Sequence, residues 1–226
     1  MAPYVGLVVF IGALVWLYLA KSRDIDRAAS LLGLSRVKEK VESRGTTAEG
    51  LAFHELLWLT GTLEGMPAEV AERRLRLPIN DTFRRQRSSH FTVLRLDSGA
   101  AQSPGFRLQP VGLMGGLESL LQETPAITPT GDPAFDAAYR LYADQGSAAI
   151  LRLTPELRQA ILAMRAKVAG KLPASAAGYL ASGLLLGTFE CGAGRASYTV
   201  YGTPNRKIAE HLREVAPLLA HLAGRR

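Results

Sequence analysis

Asp132 and Asp136 stand four residues apart in Thr130-Gly131-Asp132-Pro133-Ala134-Phe135-Asp136. Paired carboxylates are the residue types that hold a hard divalent metal or share acid–base work. The same stretch has a complete structural explanation. Gly131 can take a positive φ, Asp132 can cap backbone N–H groups, Pro133 fixes the next φ, and Phe135 and Tyr139 can anchor the turn in a core. No histidine or further acid stands beside the pair, so a structural turn is the expectation and no metal site is assigned.

The remaining chemistry-bearing residues are dispersed. Cys191-Gly192-Ala193-Gly194-Arg195 has two glycines spaced as in a phosphate loop, but the third is missing and a hairpin turn is needed there. Cys191 is the single cysteine, which excludes an internal disulfide and any zinc site built on two cysteines. With nothing nearby to lower its thiol pKa, it reads as a small buried hydrophobe. His54, His90, His211 and His221 fall in separate elements, the last two ten residues apart. There is no P-loop, GxSxG elbow, HExxH or strand-borne GxGxxG. No catalytic residue, cofactor or metal ligand is therefore expected, and a non-enzymatic role is favoured over an enzymatic one.

One feature is basic. Arg73, Arg74, Arg76, Arg84, Arg85 and Arg87 crowd the Pro78-Ile79-Asn80-Asp81 turn. They read either as a solvated strand edge that discourages edge pairing, or as a docking face for anionic lipid or an acidic partner. Phe83 alone interleaves with them, so a nucleic-acid groove is the least favoured reading.

The elements that would position these residues follow from composition and pattern. The 226 residues are 47% hydrophobic and 21% charged, enough for one domain with a real core. Net charge is +7. Residues 1–20 carry no charged side chain, and at about 1.5 Å per residue they reach roughly 30 Å, a bilayer's hydrocarbon thickness. Tyr4, Trp16 and Tyr18 sit towards its ends, and no basic residue precedes it, which favours an anchor over a cleaved signal peptide. Lys21, Arg23, Arg27, Arg36, Lys38 and Lys40 follow it. The positive-inside rule then puts the N-terminus outside and the rest in the cytoplasm of a bacterial inner membrane.

Three segments are expected: a transmembrane anchor over 1–20, a juxtamembrane helix and linker over 21–50, and an α+β domain over 51–226. The pattern from Ile25 to Val41 reads as a helix broken near Gly33, or equally as a solvated spacer. Strand-like segments run over Leu56–Glu64, Ala68–Leu77 and Phe91–Leu96, with Phe106 and Leu108 continuing the pattern and Gly65-Met66-Pro67 as a turn. Leu184–Cys191 and Ala196–Tyr201 flank Gly192-Ala193-Gly194 as a hairpin. Thr154-Pro155-Glu156 starts a helix with Leu157, Ile161, Met164 and Val168 on one face. Another opens at Thr203-Pro204, carries Ile208, Leu212, Val215, Leu219 and Leu222, and should kink at Pro217. The expected class is α+β: one N-terminal transmembrane helix, then an antiparallel sheet with two covering helices.

The Thr130–Asp136 block, Tyr139-Arg140-Leu141 and Leu153-Thr154-Pro155-Glu156-Leu157 resemble a family of functionally uncharacterised bacterial membrane-anchored proteins. Its pattern is TGDxxFDxxF/Y, a short strand, a small-residue helical turn and a Leu-Thr-Pro helix start. The resemblance spans roughly Leu56 to Leu222 and implies an architecture, with no known activity attached. The function that fits is a non-catalytic accessory or scaffold subunit of a larger membrane complex, with anionic lipids as further partners. A tethered enzyme with an unrecognised site and a binder of anionic surfaces are the alternatives.

Overall fold

The computed structural model describes Trp16 and residues 20–46, 52–76, 88–99, 105–111, 126–143, 145–170 and 187–224. The charge-free run lies outside the described residues except for Trp16 and Ala20. No described helix is long and apolar enough to cross a membrane.

Strands β1 (Ser35–Thr46), β2 (Ala52–Leu63), β3 (Met66–Arg76), β4 (Ser88–Asp97), β5 (Phe106–Pro110), β6 (Tyr139–Ala143), β7 (Thr188–Gly192) and β8 (Arg195–Tyr201) form one sheet. Its order is β1-β2-β3-β4-β8-β7-β5-β6, and these described strands pair antiparallel throughout. Two tight hairpins set its register. Glu64 and Gly65 both take positive φ between β2 and β3, and Ala193 and Gly194 do so between β7 and β8. Two successive positive φ values match the right-handed strand twist. The first turn therefore sits one residue before the expected Gly65-Met66-Pro67, and Met66 and Pro67 already pair in β3.

Helices cover one face. They are α1 (residues 20–32), α2 (Pro133–Ala138), α3 (Gly146–Arg152), α4 (Pro155–Gly170) and α5 (Arg206–Ala223), so five described helices stand where a juxtamembrane helix and two covering helices were expected. The core lies between them and the alternate strand residues Val70, Leu94, Leu96, Leu108, Leu141, Phe189 and Tyr198. On α4, Leu157, Ile161 and Met164 are buried, and Thr154 Oγ1 accepts from Leu157 N–H at 3.3 Å as its cap. Helix α5 begins two residues later than read: Asn205 caps it, accepting from Ile208 N–H at 3.0 Å. It continues through Pro217 to Ala223 and ends on Gly224 in the left-handed region.

The largest correction concerns residues 21–50. The helix stops at Leu32 because Gly33 turns left-handed, and Leu34 N–H donates back to Ala29 O at 3.0 Å. Ser35–Thr46 is then an edge strand. Its Lys-Glu-Lys run has helical propensity, but pairing with β2 outweighs that weak preference. Nor is α1 a linker: Ile25, Ala28 and Leu32, at helical spacing, are buried in the same core as Leu59 and Val70. The described part of the domain thus reaches back across the expected boundary at 51 to residue 20.

Candidate functional site

The Asp132–Asp136 turn is built as its local chemistry demands. Gly131 has φ +79°. Asp132 Oδ1 accepts from Ala134 N–H and Phe135 N–H at 3.1 Å each, and Pro133 opens α2. Asp136 accepts from Thr130 N–H at 3.0 Å and Thr130 Oγ1–H at 2.7 Å. Phe135 and Tyr139 are buried and stacked, ring centres 5.4 Å apart. Both carboxylates are thus spent on closing one turn, with Arg158 Nε 3.6 Å from Asp132. Among the described residues no group of three or more His, Cys, Asp or Glu is placed to hold a metal.

A different carboxylate is the most elaborate polar centre. In β3 the helix-side residues are Ala68, Val70 and then Glu72, whose side chain is 0% exposed. Lys21 Nζ lies 2.9 Å from Oε2 and Trp58 Nε1–H donates to the same oxygen at 3.3 Å. His90 Nδ1 lies 2.7 Å from Oε1 and Arg74 Nε–H donates to it at 3.3 Å. Lys21 also sits 5.1 Å from the Trp58 ring centre. Burial alone would raise this carboxyl, but hydrogen bonds from Lys21 and His90 and the charges of Lys21 and Arg74 outweigh it, bringing it down to about 2. Each oxygen receives two donors, so its lone pairs are filled. An acid so saturated is a poor general base. Its work is to clamp α1, β2, β3 and β4 together.

The opposite face carries a second clamp. Glu55 accepts from Arg73 Nε–H at 3.0 Å and from Arg95 Nη2–H at 2.5 Å. Burial pushes its carboxyl up, yet the hydrogen bonds and charges of Arg95 and Arg73 hold it below the usual range. Arg73 also stacks over the Phe53 ring. A shallow cleft nearby is bordered by Thr60, Glu69, Arg95, Asp97 and Arg195. Its charges are already paired, Arg195 with Asp97 at 3.4 Å and Arg95 with Glu69 at 3.8 Å.

The expected arginine face is divided by the strand's alternation. Arg73 and Arg74 are adjacent in β3 and point to opposite faces, Arg73 to Glu55 and Arg74 to Glu72. Arg76 ends β3, and Arg84, Arg85 and Arg87 lie outside the described residues. Cys191 is buried and burial raises its thiol to about 12, as suits a packed side chain. The histidines remain apart: His54 meets Glu42 at 3.1 Å, His90 meets Glu72, and His211 Nε2 meets the buried Tyr198 hydroxyl at 2.7 Å.

Sequence reasoning missed Glu72, together with Lys21, Trp58 and His90 as its partners. The one available signal was a charged residue at an apolar position of β3, which requires a partner when buried.

Neither a family model nor a curated protein matches the chain. Among solved structures, the crystal structure of the mycobacterial trehalose monomycolate transport factor A, TtfA, aligns with 88% of this chain and 95% of its own. The TM-score is 0.44 and the identity 14%. At that level of likeness, nothing about activity, substrate or partner passes from one chain to the other.

Proposed function

We propose that this chain is a membrane-tethered, non-catalytic accessory or scaffold subunit of a larger bacterial membrane complex, with its domain in the cytoplasm. One observation carries the reading. The described part of helix α1 begins at residue 20, the last of the charge-free run, and α1 is packed into the core and clamped by Lys21 to Glu72. The chain is thus held on the sheet from residue 20 onward, which suits a subunit that must present one fixed orientation. The clusters around Glu72, Glu55 and Asp136 support the same reading, because their acceptors are occupied by protein donors. The Lys and Arg excess after Ala20 supports the cytoplasmic side.

Fractionation and reporter fusions test the tether. The full chain should stay in the membrane pellet after an alkaline wash, and a C-terminal reporter that works only in the cytoplasm should be active. A mature protein starting after Ala20, found in the soluble fraction, overturns the reading. For the accessory role, one defined set of membrane subunits should co-purify in mild detergent and dissociate as salt rises. A homogeneous lone chain with a turnover activity would instead make it a tethered enzyme.

A further inference from the structure

The register of the first four strands places Arg44 opposite His54, His54 opposite Arg74, and Arg74 opposite His90. Directly opposed residues share a face, so these four side chains form one row across β1, β2, β3 and β4 on the helix side. With neighbouring strands about 4.8 Å apart, the row is roughly 15 Å long. Arg44 and Arg74 are exposed, and His54 and His90 are about one-third exposed. In the next row inward, Glu42 meets His54, and Glu72 meets Arg74 and His90. A row of this composition suits an anionic counterpart in front of it.

The path of α1 shows where the row faces. Arg36 of β1 bonds Ser22 at 2.9 Å and Asp26 at 3.1 Å, one turn apart on α1, and Leu34 beyond its end sits against Gly61. The helix thus runs antiparallel to β1, with Lys21 at the Glu72 level. The row lies two residues further along the strands, about 7 Å past that level, at the end of the sheet nearer the N-terminal end of α1 as described. The same end carries, on the other face of the sheet, Tyr201, 45% exposed, opposite Phe91 in register and edge-on to it at 5.6 Å. An exposed tyrosine at the same sheet end as basic side chains is the composition of a headgroup-level surface.

We infer that this end of the sheet, with Arg44, His54, Arg74, His90 and Tyr201, seats on the anionic phospholipid headgroups of the membrane that holds residues 1–20. The inference rests on the tether proposed above. Charged headgroups supply the acceptors, and docking fixes the angle between sheet and bilayer.

The test uses the full chain in lipid nanodiscs containing a headgroup-linked quencher. A fluorophore is placed at Ser43→Cys beside Arg44, with Thr62→Cys at the far end of β2 as the control; Cys191 is buried. Quenching at position 43 should be about twofold greater in discs with phosphatidylglycerol than in phosphatidylcholine alone, and the excess should vanish near 0.5 M salt. Arg44→Gln with Arg74→Gln should abolish the excess at low salt, and position 62 should stay unquenched. Equal quenching at position 43 in both lipids, insensitive to salt, overturns the docking while leaving the tether intact. The salt arm needs no variant, so it stands even if the double substitution fails to fold. A chain that does not enter the disc overturns the tether, and the docking with it.

Discussion

Two acidic centres of this molecule use similar chemistry over different chain distances. The Asp132–Asp136 turn draws its donors from Thr130, Ala134 and Phe135, all within seven residues. Glu72 draws its donors from Lys21, Trp58, Arg74 and His90, with Lys21 fifty-one residues away. The local turn is specified by residue types at fixed offsets and costs little chain entropy to close. The distant centre exists only once α1, β2 and β4 have been brought to β3. It also buries a charge, so it is satisfied in full or it is costly. A polar centre assembled across elements reports on tertiary structure; a local one reports on a single turn.

That contrast can be broken most forcefully at Glu72. Glu72→Ala leaves Lys21, Arg74 and His90 without their shared acceptor and should cost about 3–5 kcal/mol, the usual penalty for removing one partner of a buried ion pair. Urea unfolding of the full chain in detergent would measure it. A loss of under 1 kcal/mol would mean the centre is no clamp.

Acid provides a graded version. The Glu72 carboxyl is lowered from an ordinary 4.5 to about 2, so its contribution is complete above the unfolded value and is lost as pH falls through the folded one. Stability should decline between those two values by about 3 kcal/mol from this group. Glu72→Gln should flatten that part of the pH profile.

Lys21→Met tests the contact between α1 and the sheet alone. With its side chain 39% exposed, Lys21 should contribute about 1–2 kcal/mol, and its loss should raise hydrogen exchange in α1 ahead of the sheet. Uniform loosening of all elements would show that α1 and the sheet open as one unit.

The smallest effect is expected at the local turn. Asp132→Ala removes the cap of α2 and should cost about 1 kcal/mol, with no bound divalent metal lost. Stoichiometric metal in the purified chain, absent from both Asp132→Ala and Asp136→Ala, would reverse the structural reading of this turn.

Legibility followed the same division. The cap at Thr154, the buried positions Leu157, Ile161 and Met164, and the hairpin at Ala193-Gly194 could be read directly, because each depends on neighbours within a few residues. Strand β1 could not. Ser35–Thr46 is a charged, mostly exposed edge whose alternation carries little apolar signal, and its identity depends on β2. Within the arginine cluster, proximity in sequence suggested one face, whereas alternation sends Arg73 and Arg74 to opposite sides; Arg84, Arg85 and Arg87 lie outside the described residues.

By itself the sequence determined the α+β class, the charge-free run over residues 1–20, the basic excess behind it, the Thr130–Asp136 turn and the stripes of the two long helices. These rest on short-range sterics, capping and hydrophobic period, which act before the chain is compact. Tertiary structure alone decided the strand order, the partners of Glu72 and Glu55, the edge position of β1, and the row from Arg44 to His90. Each of those requires residues far apart in the chain to meet. The energy that selects among such meetings is burial of apolar surface over the whole sheet, a quantity no local window of residues contains.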